Sequence, residues 1–153
     1  HFASDLPLFF DAIEKDYGAM IVGSRFLKQE NMPAGNTFAN KFSNFWFTVQ
    51  TGKKLADTQT GYRAYPLFKM GKMRSFSKRY ESELEYLQRM AWRNIKIVSI
   101  PIQVYYAPEG QRVSHFRKGR DFTRISILNT LMCFVAILYG YPAMFLRKLF
   151  KSK

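Results

Sequence analysis

The spacing of apolar positions changes several times along the chain, and each change marks an element. In "SDLPLFFDAIEKD", Leu6, Phe9, Phe10 and Ile13 recur at helical spacing behind the capping residues Ser4 and Asp5, and Gly18 ends the segment. "AMIVG" is a short apolar run before a glycine and predicts a buried strand over 19–23. A polar loop with Pro33 and Gly35 follows. Phe38, Phe42, Phe45 and Val49 then recur at i, i+4, i+7 and i+11, predicting a helix over 37–50 that Gly52 terminates. "YRAY" reads as a short strand, and Tyr80, Leu84, Leu87 and Ala91 form one stripe of a helix over 78–93. "IKIVSIPIQVYYA" reads as two strands interrupted at Pro101, before the basic loop "PEGQRVSHFRKGRD". The order helix, strand, helix, strand, helix, strand, strand predicts an α/β layered fold over 1–122.

The last segment, 123–153, is different. No charge interrupts Ile125 to Tyr139, and apolar residues cover almost the whole helical circumference. Gly140 and Pro142 are expected to interrupt the helix, which leaves a piece of about 22 Å against a hydrocarbon core of about 30 Å. A spanning helix, a re-entrant or interfacial helix and a buried core helix all remain open. Arg147, Lys148, Lys151 and Lys153 follow the apolar run and favour contact with anionic headgroups.

Charge narrows the partners. The 153 residues carry a formal net charge of +13, with 47% apolar and 17% aromatic content. Such a balance suits nucleic acid, an anionic membrane or a phosphorylated substrate. No helix-turn-helix, finger or RNP-like motif supports nucleic acid, and the uncharged 125–146 segment argues against it. The single cysteine, Cys133, excludes an internal disulfide and a Cys-based zinc site, and fits a reducing compartment. No signal peptide opens the chain.

Four stretches carry candidate chemistry. "VGSR" places Arg25 at the carboxyl end of a strand, where ligands gather in open α/β sheets and where a guanidinium suits a phosphate; the alternative is a solvated arginine. In "DTQTGYR", Asp57, Gln59 and Thr60 offer mixed donors and acceptors to sugar hydroxyls, and Gly61 permits close backbone approach; Asp57 equally suits a turn cap. On the 78–93 helix, Glu81 and Glu85 fall on the face of Arg89, whereas Glu83 sits beside the apolar stripe, either facing a cleft or bridging to a loop. The loop containing Arg112, His115 and Arg117 lies between Gly110 and Gly119 and suits a mobile phosphate lid or nonspecific attraction to polyanions.

Taken together, "IVGSRF", "DTQTGYRAYP", "RYESELEYLQRMAWRNIKIVSIPIQVYY" and "EGQRVSHFR" resemble, in order and spacing over roughly residues 1–130, the C-terminal half of a family 2 glycosyltransferase of the polyprenyl-phosphate type, the dolichyl-phosphate mannose synthase group. The resemblance implies a GT-A, Rossmann-like fold, with an apolar membrane-associating helix after it. It implies inverting transfer of a sugar from a nucleotide-sugar donor to a lipid-phosphate acceptor at the cytoplasmic face of a membrane, with the protein peripheral or held by one membrane helix. By the same resemblance Arg25 and Ser43 bind the acceptor phosphate, Asp57, Gln59, Thr60 and Gly61 border the sugar, Glu83 stands near the catalytic base of many relatives, and Glu83 and Asp57 are the expected catalytic residues. Arg112, His115 and Arg117 occupy the place of a phosphate-steering loop, with His115 where the family carries a lysine. Mg²⁺ or Mn²⁺ is expected to be held by ligands outside this chain, because "HFASDL" looks like the end of a family D-A-D-G-Q-H run. This chain alone is therefore expected to be inactive, with no nucleic-acid partner. The competing readings are a noncatalytic membrane-binding adaptor and a basic nucleic-acid-binding domain.

Overall fold

The computed structural model describes residues 2–25, 34–73, 75–77, 80–105 and 118–151. The elements in chain order are a 3-10 turn at Ala3–Asp5, α1 (Leu6–Lys15), β1 (Met20–Ser24), α2 (Ala34–Thr51), β2 (Arg63–Ala64), α3 (Leu67–Met70), α4 (Tyr80–Trp92), β3 (Ile97–Pro101), α5 (Lys118–Val135), a π-helical stretch at Ala136–Gly140, and α6 (Tyr141–Lys151). This is a mixed α/β fold, mostly helical, with a small sheet and one long apolar helix.

The sheet has the order β2-β1-β3. Strand β1 runs antiparallel to β2, with Ile21 opposite Ala64, and parallel to β3, with Met20 opposite Ile97 and Ser24 opposite Pro101. All five residues of β1 are buried, because both faces of the sheet are covered. Successive side chains alternate between the faces. Met20 and Val22 join Phe47, Leu87, Met90, Ala91 and Ile95 under α2 and α4, while Ile21 joins Phe9, Ala19, Ile100 and Ile102 under α1. The two strands expected around Pro101 are one: Pro101 ends β3, and residues 102–105 form no second strand, although the Ile102 amide still donates to the Ser24 carbonyl at 3.1 Å. Asp5 does not cap α1 as expected. Its carboxylate is buried and accepts the Gln103 amide at 2.9 Å, tying the chain after β3 to the start of α1.

Helix α2 forms where its apolar stripe predicts, but that stripe is not its buried face. Phe38, Phe45 and Val49 are exposed, whereas Asn40, Ser43, Phe47, Gln50 and Thr51 are buried. The reason lies in the partners. Residues 56–58 and α5 offer this helix polar backbone groups to satisfy, and only its amide and hydroxyl side chains can do so.

Helix α4 is covered on two sides, by α2 with the sheet and by α5. Leu87 and Ala91 are buried as the stripe predicts, together with Met90 and Trp92; the Tyr80 side chain lies outside the described residues. Glu85 and Gln88, which a wheel with one buried face leaves outside, are also buried, Glu85 against residues 75–77 and Gln88 against Gln50 of α2.

Gly140 and Pro142 do not end the long helix. The Tyr141 amide donates to the Ala136 carbonyl five residues back, so a π turn absorbs the backbone conflict that Pro142 creates with its preceding turn. Gly140 is instead a packing position. A Cβ there would stand 2.5 Å from Trp92 Nε1 and 2.6 Å from Cε2. The indole, 2% exposed, donates from Nε1 to the Gln50 carbonyl at 2.8 Å and packs with Met132 and Ala136. The resulting Thr123–Phe150 helix, 28 residues with a mean hydropathy of 1.6 over its most apolar window, is long and apolar enough to cross a membrane.

Candidate active site

The carboxyl end of β1 organises the candidate residues. Gly23 lets the β2 side and the chain after β3 approach closely, since a Cβ there would meet Ile102 Cγ2 at 2.7 Å and the Tyr62 carbonyl at 3.2 Å. Ser24 is fully buried, and Arg25 leaves the strand directly against the loop at 56–61.

Arg25 and Asp57 form a two-pronged ion pair, with Nε donating to Oδ2 at 2.7 Å and Nη2 to Oδ1 at 2.9 Å. The Arg25 amide also donates to Oδ2 at 3.2 Å, and the Gln59 amide to Oδ1 at 3.1 Å. Asp57 is 0% exposed, so its carboxylate holds four hydrogen bonds without water. That count fills the acceptor capacity of a carboxylate. Asp57 is therefore an anchor that fixes the Arg25 fork and caps its own turn.

The rest of the loop is strapped to α2. Asn40 and Asn44 each donate an Nδ2 proton to the Ala56 carbonyl, at 3.0 and 2.9 Å. The Thr58 amide donates to Asn44 Oδ1 at 3.1 Å, and Thr58 Oγ1 lies 2.8 Å from that oxygen and 2.7 Å from Ser43 Oγ. Asn44 Oδ1 only accepts, so the Thr58 hydroxyl donates there and receives the Ser43 proton. Ser43 is thus joined to the motif through Thr58, not through Arg25. Gln59 points its side-chain amide at the Ala39 carbonyl, 3.2 Å away. Thr60 is buried, with its hydroxyl accepting the Tyr62 amide at 3.3 Å.

Gly61 is exposed, and Glu83 reaches it. A Cβ at Gly61 would stand 3.4 Å from Glu83 Oε2 and 3.5 Å from Oε1. Arg63 bridges the two elements, donating from Nη1 to the Glu83 carbonyl at 2.7 Å and from Nη2 to the Thr58 carbonyl at 2.8 Å. Arg25 and Asp57 pair directly, Ser43 joins the same loop through Thr58, and Gly61 and Glu83 meet at its edge. Gln59 turns toward α2. Arg112, His115 and Arg117 lie outside the described residues.

Sequence reasoning passed over Asn40, Asn44 and Arg63. The signal for the first two was the polar i, i+3, i+4 series Asn40, Ser43, Asn44, which is a face of its own.

The acids of α4 are used differently from the expectation. Glu85, 1% exposed, accepts from Ser75 Oγ at 2.8 Å, from Ser77 Oγ at 2.7 Å and from the Phe76 and Ser77 amides, while pairing with Arg89 at 3.0 Å as its i+4 spacing predicts. Burial alone would raise its pKa. The donors from Ser77, Phe76 and Ser75 outweigh that and hold it below the ordinary carboxylate value. Glu81 pairs with Arg124 on α5 at 3.0 Å. Glu83 is the half-exposed acid of the three that faces the loop. Lys53, which donates to the Ile95 carbonyl at 3.3 Å, has its pKa lowered by burial.

Among the described residues no three His, Cys, Asp or Glu side chains converge as metal ligands do. No protein-family model, curated protein or solved structure matches this chain.

Proposed function

We propose that this chain is the acceptor side of a membrane-associated family 2 glycosyltransferase with a GT-A fold, acting on a polyprenyl phosphate or a similar anionic acceptor. The observation that carries this reading is the Arg25–Asp57 fork at the carboxyl end of a buried strand, on a loop whose next exposed position, Gly61, is covered by Glu83. An arginine locked at a strand's carboxyl edge is pre-set to meet a phosphate, because its geometry is fixed before the ligand arrives.

In this reading an acceptor phosphate oxygen attacks the anomeric carbon of a nucleotide-sugar. The new C–O bond forms as the bond to the nucleoside diphosphate breaks, and the anomeric centre inverts. Arg25 holds the acceptor phosphate, with Ser43 and Thr58 fixing the loop that borders the sugar and Arg112, His115 and Arg117 steering from the basic segment. Asp57 acts by positioning Arg25. A lipid phosphate is already an anion, so Glu83 serves to orient the sugar at Gly61 and not to remove a proton; a neutral hydroxyl acceptor would require it as the base. The nucleotide-sugar and its Mg²⁺ or Mn²⁺ bind outside these residues, so the chain alone transfers no sugar.

The test is sugar transfer from labelled nucleotide-sugars to polyprenyl phosphate, in membranes carrying a longer chain that includes these residues. Arg25→Lys keeps the charge and loses the fork, and it is expected to lower transfer by about 100-fold. Full activity in Arg25→Lys removes Arg25 from the site. Vesicle binding without transfer to any acceptor favours a noncatalytic membrane adaptor.

A further inference from the structure

The apolar helix and the folded layers are joined along almost the whole length of the helix. Arg124 pairs with Glu81 near one end. Gln50 donates to the Asn129 carbonyl at 3.0 Å, Trp92 packs on Met132, Ala136 and Gly140, and Asn94 donates to the Met144 carbonyl at 3.0 Å. Arg147 donates to the Trp92 carbonyl at 2.7 Å at the far end. These contacts run over about 35 Å at about 1.5 Å per residue, more than a hydrocarbon core of about 30 Å.

A helix crossing the bilayer upright would carry its attached layers into the hydrocarbon. The ion pairs Glu81–Arg124 and Glu85–Arg89 would enter with it. Gly52 lies against the Tyr141 ring, about two-thirds of the way along the apolar span, and the exposed Lys54 is two residues away. Hydrocarbon at that depth excludes exposed lysine. The opposite side of the same helix has the reverse character. Ile127, Leu131, Phe134, Leu138, Phe145 and Leu149 are all exposed at helical spacing.

We propose that the Thr123–Phe150 helix lies in the plane of an anionic bilayer, its outward stripe sunk to the headgroup boundary and its other side clamped to α2 and α4. The exposed stripe of α2, Phe38, Phe45 and Val49, extends that contact, since the Tyr141 hydroxyl donates to the Val49 carbonyl where the two helices meet. The occupant is lipid with negative headgroups because the chain carries +13 and the exposed Lys148 sits beside Leu149 of the outward stripe. This orientation does not rest on the glycosyltransfer reading.

The experiment adds the protein, with Cys133→Ser as background, to sealed vesicles of phosphatidylcholine mixed with phosphatidylglycerol. Thr123→Cys and Lys148→Cys are each exposed to a membrane-impermeant maleimide from outside. Complete labelling at both ends is expected; protection of one end until detergent is added means a spanning helix and overturns the proposal. Spin labels at Leu131→Cys and Leu138→Cys are expected at the same shallow depth, and a label that sees water, or one shielded from lipid and water alike because a second copy covers the stripe, also overturns it. Phe45→Asp is expected to weaken vesicle partition by about tenfold, and unchanged partition removes α2 from the contact. Equal binding to phosphatidylcholine alone overturns the anionic requirement.

Discussion

Removing the Asp57 carboxylate should be among the most damaging single changes in this protein. Asp57→Ala leaves the Arg25 guanidinium, 15% exposed, without its two-pronged partner, and strands the Arg25 and Gln59 amides. Breaking a buried pair by removing one member costs about 3–5 kcal/mol. Two amides without acceptors would add about 1–3 kcal/mol each if water could not reach them. Arg25 retains some access to solvent, so the lower end, about 3–4 kcal/mol, is the expected loss. That is a large share of the roughly 5–15 kcal/mol available to a folded domain. The measurement is urea unfolding in mild detergent, followed by the fluorescence of Trp46 and Trp92. A double-mutant cycle with Arg25→Ala should give a coupling of about 2–3 kcal/mol, because the two side chains share a two-pronged ion pair. A loss below about 1 kcal/mol for Asp57→Ala, or additive single changes, would refute the buried fork.

Glu85 predicts a pH dependence whose sign follows from its lowered pKa. The folded state holds the carboxylate more firmly ionised than the unfolded chain does, so its contribution is fully present above the ordinary value of 4.5 and is lost as pH falls through the folded value. The difference in urea midpoint between the parent and Glu85→Gln should therefore shrink on acidification from neutral pH; a constant difference would show that ionisation of Glu85 contributes nothing. Gly140→Ala should destabilise by about 1–3 kcal/mol despite alanine's better helix propensity, because its Cβ needs space that the Trp92 indole occupies. Unfolding with near-ultraviolet circular dichroism of the tryptophans checks this, and a stabilised variant would mean that the indole does not sit over Gly140.

What was legible in the sequence is what depends on near neighbours. "AMIVG" reads as a buried strand because five consecutive positions need burial on both faces, and Met20–Ser24 is that strand. Helix α2 reads as a helix from its phenylalanines, but its orientation does not, because the groups that choose the buried face are the Ala56 carbonyl and Asn129, out of reach of local periodicity. Glu85 and Glu83 exchanged expected environments for a similar reason. A helical wheel assumes one covered side, and residues 75–77 cover α4 where Glu85 lies. Pro142 reads as a helix breaker from the chain alone, and only the Tyr141–Ala136 bond shows how the helix continues. At the site, the chemistry of Arg25 and Asp57 was visible as two separate charged motifs. Their pairing was not, since 32 residues separate them and nothing local couples the two.

The inverted polarity of α2 would tie the candidate site to the proposed lipid contact. Its inner face uses Asn40, Ser43 and Asn44 to hold the Ala56–Thr58 segment, and through it the acid that fixes Arg25. Its outer face carries Phe38, Phe45 and Val49. One helix, about 10–12 Å across with its side chains, thus separates the strapped loop from the proposed lipid contact. In the proposed reading the lipid phosphate sits at the headgroup level, so an acceptor would rise only by about that thickness to reach Arg25. A soluble phosphorylated acceptor would need no such arrangement, and the outward aromatics of α2 would then be a solubility cost without a return. The two proposals therefore bear on each other. If Phe45→Asp weakens vesicle binding and lowers transfer to a polyprenyl phosphate while leaving transfer to a short water-soluble analogue intact, α2 acts by setting the height of the site above the bilayer. Equal loss with both acceptors would place the effect in the 56–60 loop instead.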